Sequence, residues 1–142
     1  MTDPHTEGTA PKPEPPKPKY NSLEDWVLDY FVPVFRRTLG GEFRWCAQWW
    51  EHAEAISRLS ALWHAWEALR LRPGTGMSNW YAQHLDHHLP VLLGARGPFY
   101  QCSEDSHREP HLAKADPAPP GWWDPMDSDP VNSASDGTPE GN

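Results

Sequence analysis

The sequence contains little cysteine. Cys46 and Cys102 are the only two cysteines among 142 residues, and they lie far apart along the chain. Small secreted domains that depend on disulfides carry more cysteines at closer, paired spacings. We therefore expect free thiols or metal ligands in a reducing compartment, not a disulfide framework.

Long apolar runs are also missing. No stretch approaches the roughly 18–20 consecutive apolar residues that span a bilayer. Residues 1–19 are polar and proline-rich, and they lack the positive segment and apolar stretch of a secretory signal. The sequence thus predicts a cytoplasmic protein with no membrane association.

Positive charge is scarce, with 12 Lys and Arg against 20 Asp and Glu and a net charge of −8. Domains that bind the phosphates of nucleic acid are usually basic, because counterion release supplies much of their affinity. The charge balance therefore disfavours direct binding of DNA or RNA and favours a protein partner.

Composition divides the chain into three parts. Most of the 17 prolines lie in the two flanks, whereas most of the 9 tryptophans lie between them. Only the middle part is rich enough in large apolar side chains to offset the entropy of ordering a chain. We predict a disordered proline-rich leader over residues 1–19, a folded domain over 20–112, and a disordered acidic tail over 113–142.

Apolar spacing within the middle part predicts an all-α fold. Ser22 is placed to cap a first helix, and Pro33 to kink or break it. Residues 42–71 contain neither glycine nor proline, which predicts one long amphipathic helix with Glu54 and Arg58 paired one turn apart. A third helix is predicted from Ser78 to about Leu89. Three helices around an aromatic seam are the simplest arrangement.

The seam of the long helix is predicted from tryptophans and apolar residues at heptad spacing. Its predicted core positions are Trp49, His52, Ile56, Leu59, Trp63 and Trp66. Trp49 and Trp50 project about 100° apart on a helix, so part of this aromatic surface is predicted to be exposed.

Histidine and cysteine supply the candidate metal ligands. His84 and His88 lie one helical turn apart and could hold one ion. Cys102, His107 and His111 form a second, looser cluster in a loop, and Cys46 or His52 could complete either cluster. No C-x-x-C pair is present. The simpler interpretation, which we favour, is that these are partly buried histidines and free thiols, with no cofactor; zinc is the alternative.

Enzyme motifs are absent from the sequence. It contains no G-x-S-x-G elbow, no phosphate loop ending in Gly-Lys-Ser/Thr and no zinc-deaminase signature. This favours a binding protein, and exposed tryptophans are frequent anchors of protein interfaces. The candidate partner-binding residues are Trp49, Trp50, Trp66, Trp122 and Trp123. The last two, among acidic residues of the tail, are either a docking motif or a clasp onto the helical domain.

Four blocks of sequence carry a resemblance to a known family. They are SLEDWV (22–27), FRWCAQWWEHAEAISRL (43–59), RPGTGMSNWY (72–81) and HLDHHLPVLL (84–93). The chain resembles a family of small actinobacterial proteins of unknown function, often encoded on plasmids, integrative elements and phages near genes for DNA transfer. The resemblance implies an accessory role by association and no catalytic residues.

Together these observations favour a non-catalytic protein-interaction or accessory protein of a mobile genetic element. The alternative is a zinc-stabilised domain with hydrolytic or nucleic-acid-related activity at the His/Cys cluster. The oligomeric state is left open.

Overall fold

The computed structural model describes residues 14–125 and contains three helices. We name them α1 (residues 23–34), α2 (Ala53–Leu69) and α3 (residues 76–92). A short 3₁₀ turn, Trp49–Glu51, precedes α2, and strands are absent from the described part of the chain, where only isolated bridges occur. The predicted small all-α fold is confirmed. The predicted disorder of residues 1–13 and 126–142 lies outside the described residues.

The chain divides into two units, Met1–Pro110 and His111–Asn142. All three helices belong to the first unit. The described residues of the second unit, 111–125, are exposed and contain no helix or strand. None of the helices between residues 14 and 125 is both long enough and apolar enough to cross a bilayer.

Helix α1 begins at the predicted cap and ends at Val34, one residue after Pro33 and well before Gly40 and Gly41, where the sequence also offered an end. The Ser22 hydroxyl accepts a hydrogen bond from the Asp25 N–H at 3.1 Å, which confirms the predicted cap. The middle of the helix, Val27–Phe31, widens into a π-helix, and the last α-helical turn ends at Val34. Pro33 lacks the N–H that would bond to the carbonyl four residues earlier. It lies inside the last turn, where the Phe35 N–H still donates to the Phe31 carbonyl at 3.0 Å.

Helix α2 begins at Ala53, much later than the predicted start at residue 42, so the prediction of helix over 42–52 is wrong. Residues 43 and 44 pair instead with the end of α3: Phe43 bridges to Gly94, and the Arg44 N–H donates to the Leu93 carbonyl at 2.7 Å. These backbone bonds satisfy groups that a helix would otherwise pair internally. Tertiary contact therefore overrides helical propensity here.

Helix α3 is longer at both ends than predicted, because it begins at Gly76 and passes through Pro90 to Leu92. A side chain at position 76 would collide with the Leu69 carbonyl, so glycine allows α3 to start directly against the end of α2. A π-helical segment, Tyr81–Leu85, lies in its middle.

Three tryptophans from three helices form the centre of the core. Trp26 lies 6.3 Å from Trp66 and 6.4 Å from Trp80, measured between ring centroids. The Trp80 indole N–H donates to the Leu62 carbonyl at 3.0 Å. Such aromatic pairs contribute about 0.5–1.5 kcal/mol each beyond burial.

The buried face of α2 differs in part from the predicted seam. Leu59 and Trp66 are buried as predicted, whereas Ile56 and Trp63 are only partly buried. The complete buried face is Ala55, Leu59, Leu62, Trp66 and Leu69. The predicted Glu54–Arg58 pair is present at 2.8 Å on the exposed side.

Glu67 of α2 forms hydrogen bonds to the backbone near the start of the described chain. Its carboxylate accepts the backbone N–H groups of Lys19 and Tyr20 at 2.9 and 3.1 Å, the Trp63 indole N–H at 3.1 Å and the Arg70 guanidinium at 2.9 Å. Burial alone would raise the pKa of Glu67, but these four donors outweigh it and hold the pKa below its ordinary value of 4.5.

The first prediction concerns the tryptophan core. Trp66 is 4% exposed and Trp50 is 56% exposed. Trp66→Ala should lower the free energy of unfolding by about 3–5 kcal/mol, because it leaves a cavity among aromatic rings. Trp50→Ala, the matched control, should change it by less than about 0.5 kcal/mol. Urea unfolding followed by circular dichroism measures both, and equal stabilities of the two variants would contradict this core.

The second prediction concerns Glu67 and pH. Because its folded-state pKa is depressed, its contribution is complete above its ordinary pKa and is lost as pH falls through the folded-state value. Glu67→Gln should therefore lower the unfolding free energy by about 1–3 kcal/mol at pH 7 and by less at pH 3. Glu54→Gln, which removes an exposed pair on the same helix, should cost less than about 1 kcal/mol. A Glu67→Gln effect that does not shrink in acid would contradict the prediction.

Candidate metal centre

Two cysteines and two histidines meet at one end of the helical unit. Cys46 and His52 come from the non-helical segment before α2, and Cys102 and His107 come from the loop that follows α3. One ligating atom from each of the four residues lies within 4.8 Å of all the others. The arrangement is a Cys2His2 group assembled from two distant parts of the sequence.

Specific atoms face one another across this cluster. The Cys46 Sγ lies 3.2 Å from the Nδ1 of His107, and the Cys102 Sγ lies 3.5 Å from the Nε2 of His52. The two imidazole rings are nearly perpendicular, with centroids 4.9 Å apart. Nδ1 of His107 and Nε2 of His52 are thus the nitrogens available to a shared ion.

Local backbone structure positions the first pair of ligands. The 3₁₀ turn Trp49–Glu51 reverses the chain after Cys46 and leads into His52, whose extended backbone caps the start of α2. Trp49 is buried beside it and anchors the turn. Had residues 42–52 been helical, Cys46 and His52 would lie on different faces, since six residues correspond to about 600° of helical rotation.

A tight turn positions the second pair. The Ser103 hydroxyl accepts the N–H groups of Asp105 and Ser106 at 3.2 and 3.1 Å, and the Ser103 N–H donates to the Ser106 carbonyl at 2.8 Å. This turn brings His107 back beside Cys102. The Arg108 N–H then donates to the Cys102 sulfur at 3.3 Å, and the Cys102 thiol donates to the Arg108 carbonyl at 3.3 Å.

Three of the four ligand residues are buried from solvent. Cys46, His52 and Cys102 are at most 2% exposed, and the Phe99 ring stands edge-on to His52 at 4.9 Å. Burial raises the pKa of Cys46 to about 11, although a backbone hydrogen bond from Gln48 opposes the shift. Burial also lowers the pKa of His52, and the neighbouring His107 lowers it further. In the absence of metal, Cys46 is therefore a neutral thiol and His52 a neutral imidazole.

This donor set fits zinc. Tetrahedral Zn²⁺ with Zn–S near 2.3 Å and Zn–N near 2.0 Å places sulfur and nitrogen ligands about 3.5 Å apart. The two sulfur–nitrogen distances of 3.2 and 3.5 Å are close to that value. A divalent cation would displace the thiol protons, because the thiolate is the form that binds metal.

A second, exposed group of potential ligands shares His107. It consists of Glu51, His107 and Glu109. Exposed carboxylates meet beside a histidine on many surfaces without binding an ion, and we assign this group no role.

The four residues predicted from sequence as metal ligands separate into two sets. Cys102 and His107 lie together, and Cys46 and His52, either of which could complete either predicted cluster, join them. His84, His88 and His111 belong to no such group in the described part of the chain. The Nδ1 of His88 instead lies 3.1 Å from the Arg58 guanidinium. Burial and then this cation lower the pKa of His88.

The predicted partner-binding tryptophans also separate. Trp49 and Trp66 are 6% and 4% exposed, so their side chains belong to the core and are not available to a partner. The 3₁₀ turn buries Trp49, and Trp66 lies on the buried face of α2, where its ring packs against Trp26 and Tyr30. Trp50, Trp122 and Trp123 are exposed.

One sequence signal could have identified the cluster. Cys46 and His52, and Cys102 and His107, are two Cys-then-His pairs at similar spacing, each inside a short segment. Treating residues 42–52 as helix concealed the first pair.

The geometry defines a small all-α domain that carries a Cys2His2 group. Its sequence matches the family described as a domain of unknown function (DUF4913) over residues 20–121. The chain belongs to that family, and all four ligands lie within the matched range. Comparisons with curated proteins and with solved structures gave no match.

Proposed function

We propose that this protein is a non-catalytic helical domain stabilised by one zinc ion bound to Cys46, His52, Cys102 and His107. The observation that carries the proposal is the mutual approach of four zinc-preferred ligand atoms within 4.8 Å. Two sulfur and two imidazole donors in a tetrahedral arrangement are characteristic of structural zinc.

A structural role is favoured over a hydrolytic one. Catalytic zinc sites keep a coordination position open for water or substrate, whereas four protein ligands close the site. Three of these four ligands are buried, which leaves little access for a substrate. The hydrolytic alternative raised by the sequence therefore has no support in the geometry.

The ion would hold together two segments that lack α-helical hydrogen bonding. Residues 46–52 and 102–107 consist mainly of turns and loops, and few backbone hydrogen bonds hold them. Because such a site does not exist in the unfolded chain, the free energy of metal binding stabilises the fold. The protein-interaction role and the link to mobile genetic elements stay predictions from the sequence.

The third prediction tests the metal directly. Protein purified without a His tag should contain about one zinc per chain by elemental analysis. Cys102→Ser should lose the metal and lower the melting temperature by more than about 10 °C, since each kcal/mol corresponds to about 4–8 °C in a domain of this size. Excess chelator should produce a similar shift in the wild-type protein and none in the variant.

His88→Ala is the matched control, because His88 is a partly buried histidine outside the cluster. It should keep both its zinc and its response to chelator. If His88→Ala lost its zinc and Cys102→Ser kept it, the metal site would lie on α3 and the proposed ligands would be wrong. Metal-free protein whose melting responds neither to chelator nor to added zinc would overturn the proposal.

A further inference from the structure

A groove of about 450 Å³ opens between the end of α1 and the loops beside the metal ligands. Its apolar lining includes the aromatic rings of Phe31, Phe35 and Trp45. We call it the arginine groove, because Arg36 and Arg37 also line it. Its volume falls within the roughly 300–1,000 Å³ of typical ligand pockets.

Both arginines have hydrogen-bonding capacity to spare. The Arg36 Nε donates to the Pro33 carbonyl at 2.8 Å, and one Arg37 Nη donates to the Arg36 carbonyl at 2.9 Å. Neither forms an ion pair with any carboxylate of residues 14–125, where the arginines in ion pairs are Arg58 and Arg70. The remaining guanidinium N–H groups are exposed and suited to carboxylate oxygens.

One carboxylate, that of Glu104, lies in the same groove. It makes the groove unfavourable for a ligand that is negative throughout, such as a chain of phosphates. It also provides an acceptor beside the aromatic lining, and a buried indole N–H needs such an acceptor. Apolar walls, one acceptor and two cations together match a tryptophan that is followed by acidic residues.

We propose that the arginine groove binds an acidic peptide segment through a tryptophan anchor. The indole occupies the space lined by Phe31, Phe35 and Trp45, its N–H donates to Glu104, and the neighbouring carboxylates accept from Arg36 and Arg37. Peptide is favoured over single-stranded nucleic acid because a nucleic acid carries a negative charge on every nucleotide, whereas a peptide places a neutral tryptophan beside Glu104. This binding function goes beyond the zinc site.

The sequence itself provides a peptide of the required chemistry. Residues 121–129 read GWWDPMDSD, with three acidic residues after two adjacent tryptophans. Trp122 and Trp123 are 67% and 77% exposed. A synthetic peptide of this sequence is therefore a suitable probe.

The fourth prediction tests the groove with this peptide, labelled with fluorescein and titrated by anisotropy. The receptor is the full chain carrying Trp122→Ala and Trp123→Ala, so that it contains no competing segment of the same chemistry. We expect saturable binding that weakens as salt rises. Adding Arg36→Gln and Arg37→Gln to the receptor should weaken binding at least about tenfold, because charge-assisted hydrogen bonds are lost.

Arg72→Gln with Arg96→Gln is the matched control, because it removes two exposed arginines outside the groove. It should change affinity less than about twofold. A probe with both tryptophans replaced by alanine should not bind. Glu104→Ala should lower the affinity of the receptor for the tryptophan peptide. Glu104→Gln keeps an acceptor oxygen and should retain most of the affinity.

Three results would overturn the proposal: no binding of the probe, equal binding of the alanine probe, or an effect of the control arginines as large as that of Arg36 and Arg37. Binding of a ten-nucleotide thymidine strand in place of the peptide, with the same dependence on Arg36 and Arg37, would also overturn it and assign the groove to nucleic acid. Zinc content of the same samples separates the two proposals. Zinc without peptide binding refutes the groove alone, and peptide binding without zinc refutes the metal site alone.

Discussion

The approach of the segment before α2 to the segment after α3 is the contact on which the rest of the structure depends. The backbone bond from Arg44 to the Leu93 carbonyl and the bridge between Phe43 and Gly94 join these segments at one end. Bringing together two segments about 50 residues apart costs chain entropy, so the contact persists only if side-chain interactions stabilise it. The Cys2His2 group lies between these two segments and can supply that stabilisation.

The Cys2His2 group is mostly buried, whereas most polar side chains in the described part of the chain are exposed or partly exposed. Thiols and imidazoles taken from water lose hydration, and the contacts between them recover only part of it. Cys46 and His52 are neutral without metal, because burial raises the pKa of Cys46 and lowers the pKa of His52. A shared divalent ion would turn four weakly satisfied groups into four strong bonds. The same segments also form a wall of the arginine groove through Trp45 and Glu104, so one contact supports both proposed sites.

Several features could be predicted from sequence because they depend on neighbours in the chain. The Ser22 cap, the break near Pro33 and the Glu54–Arg58 pair each involve residues within one helical turn. The positions of Leu59 and Trp66 in the core also follow from local periodicity. The candidate site could be predicted only in part: spacing groups Cys102 and His107 together with His111, and it gives no reason to assign Cys46 or His52 to this cluster instead of to His84 and His88.

The sequence by itself determined the all-α class, the location of the helices along most of the chain and the membership of the family, because these depend on spacing, composition and motif. Only the tertiary structure decided that residues 42–52 are not helical, which tryptophans are buried, and which histidines meet the cysteines. Residues 42–52 contain no helix breaker, so local rules predict a helix there. The hydrogen bond from Arg44 to the Leu93 carbonyl, the bridge between Phe43 and Gly94, and the burial of Cys46 and Trp49 override that preference, since the energy of these contacts depends on segments about 50 residues away.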